Sequence, residues 1–570
     1  MLGAAASLAL AAVACLGIGV GCLRLFPLGA ARCLAFGEVG LLGVAALAAL
    51  GATINLVLPL TPWPAMVLSA GGAVLLVLGW RGAAPCLLTD WRSAAVPALL
   101  LAGILLALLP AMLRSSAWHF DSGLYHMQHV RQAMELPVVL GMASIHERFG
   151  YNSLWFPAAA LATAGVPGVA GAFSLNALLA GFVLLAMAER TVAAIRTGQA
   201  RVAVFGTLVV GLLVLTPVFT LRGWIGSPNT DIPVTLLALY AFLLGLQYTE
   251  ADEDRFAIAG ILTATVALAV AVKLSALPLL LLLLLPIVDW WRGRMDRRQV
   301  ALLAVIGLAL GMPWLLRGIA TSGCLAYPQP ASCLPLPWTI DPAVARGDMD
   351  WVRAWARLPG VPPEVVLADR SWMLPWAREA LADPVLPFVG ALAALAVVLA
   401  AVSLRRRRLE WRGPGMEGAI LLAAALGALA FWFATAPLIR YGRTFMLLPL
   451  LLAVAMLAPP AAIAWVNARL PARGLGPGIL AIGVVALAVH AGMQRPRGMP
   501  LGLGGYPVLP QVAVRPLPVP GMLPVTQPIE GQQCWDAPRL CTPALHRPVT
   551  VERVGPWFMV RAAGAEAPAP

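Results

Sequence analysis

Apolar runs of about 18 residues or more recur along this chain from its first residues to about position 492. Each is long enough to cross roughly 30 Å of hydrocarbon as a helix. Lipid offers no partner to backbone N–H and C=O groups, so a segment of this kind must satisfy them internally, as a helix does. Composition points the same way: 60% of the 570 residues are hydrophobic and 11% are charged, with a mean hydropathy of +0.85. The expectation is an all-α polytopic membrane protein with about 14 transmembrane helices, within a range of about 12–14.

The spans read at about 2–22, 36–58, 64–80, 95–114, 168–190, 202–221, 232–248, 256–275, 277–290, 300–317, 385–404, 418–436, 444–464 and 476–492. The first has no charged n-region and no small-residue cleavage site before the next run, so it reads as a span and not as a secretory signal. Residues 154–166 are apolar but short, and Lys273 and Pro278 interrupt the apolar stretch 256–290. Both places read as re-entrant or broken helices.

A formal net charge of +13 would suit a nucleic-acid binder if the cations formed one patch. They lie instead in short turns between apolar runs, which is a topology signal, so no nucleic-acid partner is expected. Arg405, Arg406, Arg407, Arg408 and Arg412 fill one turn; Arg292, Arg294, Arg297 and Arg298 fill another; Arg190, Arg196 and Arg201 fill a third. With these turns in the cytoplasm, alternation places 115–153, 222–231, 318–384, 437–443 and the tail after 492 on the outer side. Residues 1–94 then form additional N-terminal transmembrane helices, 95–492 the main transmembrane domain, and 493–570 a Pro-rich, irregular extracytoplasmic cap.

Eight cysteines divide by setting. Cys15, Cys22, Cys33 and Cys86 lie in or beside apolar runs, where a lone cysteine is a small core residue. Cys324 and Cys333 share one outer loop, and Cys534 and Cys541 share the tail. Two short disulfides in an oxidising compartment fit that placement, and a four-cysteine zinc site is the alternative, although zinc usually has closer pairing.

The densest polar stretch is Trp118-His119-Phe120-Asp121-Ser122-Gly123-Leu124-Tyr125-His126-Met127-Gln128-His129. Read as a short amphipathic helix, it puts Tyr125 on the face of Asp121 and His129 one turn later. A carboxylate so placed suits a general base or a cation ligand; an interfacial helix anchored by its aromatic residues is the other reading. The histidine spacing suits no single helix face as a zinc site, and no metal or cofactor is expected. Asp231, just before an apolar run, reads either as a second functional carboxylate or as a helix cap followed by Pro233. Lys273, Arg317, Arg440 and Arg443, with Tyr441 between the last two, lie on or near the outer side, against the usual charge bias. Lys273 is the one charge expected to lie deep in the bilayer. Guanidinium and ammonium groups there suit a lipid phosphate, or else snorkel to headgroups.

These features resemble the GT-C superfamily of membrane glycosyltransferases, which transfer sugars from polyprenyl-phosphate donors on the extracytoplasmic side. Phe120-Asp121-Ser122-Gly123-Leu124-Tyr125-His126 is similar to that superfamily's first-loop acidic motif, and Asp231-Ile232-Pro233 to its second acidic position. Pro313-Trp314-Leu315-Leu316-Arg317, Ser322-Gly323, Tyr327-Pro328 and Arg440-Tyr441 are similar to basic positions of bacterial members. The chain also resembles a group of bacterial multi-spanning proteins that share Phe-Asp-Ser/Thr-Gly-Leu-Tyr-His and Gln-Cys-Trp-Asp patterns. The first resemblance implies a GT-C-like bundle in the bacterial inner membrane, with Asp121 and Asp231 as the catalytic carboxylates. It implies Tyr125, His126, Lys273, Arg317, Arg440, Tyr441 and Arg443 as substrate-binding residues. Its implied partners are membrane lipid, a polyprenyl-phosphate sugar donor and a glycan or lipid acceptor. A carrier or flippase for a lipid-linked or anionic substrate, and a non-catalytic assembly protein, remain as alternatives.

Overall fold

A computed structural model describes the chain except at residues 1, 27–33, 84–94, 116–118, 164–167, 217–224, 252–253, 406–414, 460, 462–482, 487, 490–505, 507, 539, 546 and 563–570. In chain order the helices are Leu2–Leu25 (α1), Phe36–Asn55 (α2), Pro62–Ala83 (α3), Ala95–Ser115 (α4), Met127–Glu135 (α5), Trp155–Leu161 (α6), Leu175–Thr197 (α7), Ala200–Leu215 (α8) and Asp231–Glu250 (α9). They continue as Arg255–Val272 (α10), Leu284–Trp291 (α11), Arg297–Ser322 (α12), Pro342–Trp355 (α13), Pro363–Val366 (α14), Met373–Ala382 (α15), Leu386–Arg405 (α16), Met416–Thr435 (α17) and Ile439–Leu457 (α18).

Among the described residues, 11 helical stretches are long and apolar enough to cross a membrane, or 12 if the pair Met373–Ala382 and Leu386–Val402, bent by 85°, counts as one span. The chain is thus a mostly helical protein with many apolar spans. Two of the 14 expected spans account for the difference. The one at 202–221 is α8, whose 16 residues fall short of a full crossing; the one at 476–492 lies largely outside the described residues, as does the basic turn with Arg406, Arg407, Arg408 and Arg412.

α7 and α9 are buried along most of their length, while α3 and α12 present most of their surface outward. The first three helices meet through small residues. A Cβ on Gly17 would lie 1.6 Å from the carbonyl oxygen of Gly72, and one on Gly43 would lie 1.8 Å from that of Cys15, a closeness that only glycine permits. α2 in turn packs against α6, α7, α10 and α12, so residues 1–94 join the rest of the bundle through its core. The apolar stretch 256–290 is broken at Lys273, which is extended at φ −157°; beyond it Pro278 sits in a 3-10 run, Leu274–Leu283, that leads into α11.

One end of the bundle gathers the C-termini of α2, α10 and α12, the N-termini of α9 and α18, and the loops between them. The N–H of Val138 donates to the carbonyl of Asn55 at 2.7 Å, that of Leu154 to Ala271 at 3.0 Å and that of Ile340 to Ser322 at 3.0 Å. The C-terminal segment closes over this end. Val514–Pro516 (β1) pairs antiparallel with Thr526–Pro528 (β2), and Val549–Val554 (β3) with Trp557–Ala562 (β4). The carbonyl of Leu140 accepts from Val560 N–H at 2.8 Å. Both Cys324–Cys333 and Cys534–Cys541 are bonded, and both lie at this end.

The opposite end holds a second set of charges, and two expectations change there. Arg190 lies two turns inside the end of α7 and not in a turn with Arg196 and Arg201. It is 1% exposed, and its Nε and Nη2 donate to the two carboxylate oxygens of Glu38, each at 2.7 Å. The hydroxyl of Tyr240 donates to the same carboxylate. Lys273, at a helix end and 29% exposed, is thus less buried than this pair: a fork of two hydrogen bonds lets a buried guanidinium and carboxylate lie side by side without water. Nearby, buried Asp289 accepts from Tyr248 at 2.6 Å and from Arg255 at 3.0 Å, and Glu417 gathers Arg255, Arg292 and Arg294.

Candidate functional site

At the capped end, Arg440 near the start of α18 lies between two carboxylates from distant parts of the chain. Its Nη2 is 3.8 Å from Asp121 Oδ2 and its Nε 3.6 Å from Asp231 Oδ2. Lys273, thrown outward by the break after α10, places Nζ 2.5 Å from Asp231 Oδ1 and 4.1 Å from the ring centre of Tyr441. Arg440 also donates to the Tyr441 hydroxyl at 3.0 Å. Two acids and two bases thus form one charge-balanced group, with each of the four charged side chains between a fifth and a third exposed.

A narrow cleft beside this group is lined by Asp231, Thr235, Lys273, Ser275, Arg440 and Thr444, with Tyr441 and two apolar side chains. Thr235 and Thr444 were not anticipated. Each follows a charged residue by four, Asp231 and Arg440, and i, i+4 spacing on a helix puts both members of a pair on one face.

Asp231 opens α9, yet it does not cap the helix. The Oδ1 of Asn229 accepts from the N–H groups of Asp231 and Ile232 at 3.0 and 3.1 Å. The carboxylate is thereby released from the capping role that its position suggests, and it faces the two cations.

Asp121 stands just before a π-helical turn, Ser122–His126, that runs into α5. The regular amphipathic helix expected here does not form from its first residue; a π turn, frequent at functional sites, replaces it. Tyr125 is half buried, with its ring 4.4 Å from that of His126 and 6.4 Å from Phe156. His126 is buried, 3.3 Å from the Ser122 hydroxyl and stacked on His119. Its burial removes it from the cleft and gives it a packing role. Burial pushes His119 down to about 4, against the upward pull of Asp121, and holds His129 at about 3; His126 is likewise held low by burial. The histidines are therefore neutral around pH 7 and frame the carboxylate without charging it.

Two expected phosphate ligands lie elsewhere. Arg317 is 1% exposed, and its Nη1 donates to Asn55 Oδ1 at 2.6 Å. It ties α12 to the end of α2. Arg443 pairs with Asp383 at 2.9 Å and so clamps the 85° bend between α15 and α16. Arg443 is a helix-surface neighbour of Arg440, three residues on, and it is the bend after α15, bringing Asp383 against it, that gives it a different partner.

The cap reaches this site from more than 400 residues away. Gly123 carbonyl accepts from the N–H groups of Cys534 and Trp535 at 2.8 and 2.9 Å. Gln128, also buried, donates to the carbonyls of Trp535 and Ala537 and accepts from Cys541 N–H at 2.9 Å. No periodicity in the Pro-rich tail signals this contact; the Gln-Cys-Trp-Asp run was its one visible trace.

No curated protein and no solved structure matches the chain. A family model does match residues 1–447, which hold Asp121, Asp231, Lys273, Arg440 and Tyr441 but not the cap. That model is described as a domain of unknown function (DUF8201), and the chain belongs to this family.

Proposed function

We propose that this protein is a membrane glycosyltransferase of GT-C-like architecture that moves a sugar from a polyprenyl-phosphate donor to a glycan or lipid acceptor outside the cytoplasm. The observation that carries the reading is that Asp121 and Asp231 share Arg440 at one mouth of the bundle. In the reaction, Asp121 takes the proton of an acceptor hydroxyl, whose oxygen attacks the anomeric carbon. The bond from that carbon to the donor phosphate breaks, and the polyprenyl phosphate leaves with the electron pair. Lys273 and Arg440 neutralise the charge that grows on it, where fixed cations act most effectively. Asp231 holds both cations in place. Arrival of a phosphate would draw Arg440 from Asp121 and leave the carboxylate free to act as base.

Two further features support the proposed orientation. The disulfides lie at the site's end and suit an oxidising compartment, while Arg255, Arg292 and Arg294 gather at the other, as cytoplasmic loops do. The bacterial inner membrane is the setting that fits. The buried charges Glu38, Arg190 and Asp289 lie within two turns of helix ends and not at the midplane, which favours an enzyme over a carrier.

The test is sugar transfer in nanodiscs from a polyprenyl-phosphate donor to membrane acceptors, comparing the native protein with Asp121→Asn. Loss of a general base is expected to slow turnover by about 10²–10⁴-fold, with a donor KM no higher than native because Arg440 loses a competing carboxylate. Full activity in Asp121→Asn would end the proposal.

A further inference from the structure

We propose that the disulfide loop Gln533–Cys541 is a positioning element that holds the Asp121 segment in register with Arg440; this rests on the transferase reading for its consequence in catalysis. The contacts form a continuous seam. Gln533 Nε2 donates to the carbonyl of Phe120 at 3.0 Å, one residue before Asp121. Gly123 carbonyl receives two N–H groups, from Cys534 and Trp535. Gln128, 1% exposed, spends three hydrogen bonds on Trp535, Ala537 and Cys541. Arg131 then meets Asp536 at 2.6 Å. The loop therefore grips the segment at four points along nearly three turns.

The segment needs such a grip. A π turn is a rare conformation that its own hydrogen bonds hold weakly, and Asp121 stands immediately before one. Trp535 is the counterpart on the loop: its backbone is left-handed at φ 45° although it is not glycine, and it is 4% exposed. A conformation of that kind is strained for a residue with a side chain and persists where surrounding contacts dictate it. The indole lies against Gly123, so closely that a Cβ there would be 2.6 Å from Trp535 Cε2 and 2.8 Å from its Nε1. Glycine at 123 thus admits the ring, the ring seats the loop, and the loop's N–H groups fix the carbonyl two residues beyond Asp121. Because the loop lies outside the region matched by the family model, the site is built from two separate parts of the chain.

The geometry sets up a suppressor test on the full-length protein in nanodiscs. Gly123→Ala forces away the indole and also presses on the Gln533 amide, 2.9 Å from the added Cβ; Gly123→Ala with Trp535→Ala removes the indole clash, leaves only the end of the flexible Gln533 side chain to yield, and keeps both backbone donors. The readouts are amide hydrogen exchange over residues 120–131, and kcat and donor KM. Gly123→Ala is expected to speed exchange there and to lower kcat by roughly ten- to a hundred-fold, the scale of a misplaced reacting group, with donor KM nearly unchanged. The double variant is expected to recover most of both. The proposal is overturned if Gly123→Ala exchanges and turns over as the native protein does, or if the double variant recovers neither readout. If the native protein shows no transfer at all, the functional reading fails and exchange alone decides whether the loop holds the segment.

Discussion

Asn229 Oδ1 accepts the backbone N–H groups of both Asp231 and Ile232, so the helix cap and the charged ligand of Lys273 are different residues, on either side of Thr230, with separate duties. The two duties respond differently to substitution. Asn229→Ala removes a cap and is expected to cost about 1–2 kcal/mol of stability, read as a fall in unfolding temperature. Asp231→Asn takes one negative charge from a balanced group and leaves the cap intact. It is expected to lower the KM for an anionic donor several-fold, since Lys273 and Arg440 lose a competitor, while kcat falls because those cations are no longer held in place. A raised KM in Asp231→Asn would contradict this account.

The buried histidines make stability depend on pH, with a definite sign. His119 and His129 sit at about 4 and about 3 in the folded protein, with burial as the largest cause, against 6.5 when exposed. Between these values the unfolded chain binds protons that the folded one refuses. Stability is therefore level above pH about 6.5 and falls as pH drops toward 4; His119 alone accounts for roughly 3 kcal/mol. Unfolding temperatures at about pH 7.5 and 4.5 should show the fall, and His129→Phe, which keeps the stacking on Phe156, should lessen it.

Glu38 and Arg190 are each almost fully buried. Removing one partner strands the other charge, so Glu38→Ala is expected to destabilise by about 3–5 kcal/mol. Glu38→Met with Arg190→Met, which removes both charges and keeps bulk, should restore most of the loss. Folded yield and unfolding temperature in nanodiscs measure both. A double variant as poor as Glu38→Ala would show that the pair has a role beyond mutual neutralisation.

The parts legible in the sequence are those whose signal is local. A run of apolar residues fixes a helix wherever it lies, and alternation of basic turns puts Asp121, Asp231, Lys273 and Arg440 at one end because each stands at the start or finish of an apolar run. Partner choice among charges was not legible. Arg190 at the edge of an apolar run has the pattern of a turn, and only packing of α7 on α2 brings it to Glu38. Arg443 and Arg440 share one helical turn, but the 85° bend after α15 presents Asp383 to the first and leaves the second facing the cleft. The grip of Gln533–Cys541 on Gly123 and Gln128 joins segments without shared periodicity across some 400 residues, where no pattern rule reaches.

Arg317 and Arg440 separate these two kinds of reading experimentally. Both are arginines expected at the outer side, but Arg317 bonds Asn55, whose amide also donates to the carbonyls of Ala133 and Leu136, while Arg440 lies between Asp231 of the cleft and Asp121 beside it. Substitution of Arg317 by methionine should thus loosen the junction of α2, α5 and α12 and lower the unfolding temperature, leaving donor KM of the folded fraction close to native. Arg440→Met should do the reverse: it removes a cation from the cleft, raises donor KM and slows turnover, with a smaller effect on stability because the site is partly open to solvent. Titrating donor against each purified variant, alongside its unfolding curve, gives the comparison. If Arg317→Met raised donor KM as strongly as Arg440→Met at unchanged stability, the buried guanidinium would have to be reached by substrate, and the division between scaffold and site drawn from its burial would be wrong.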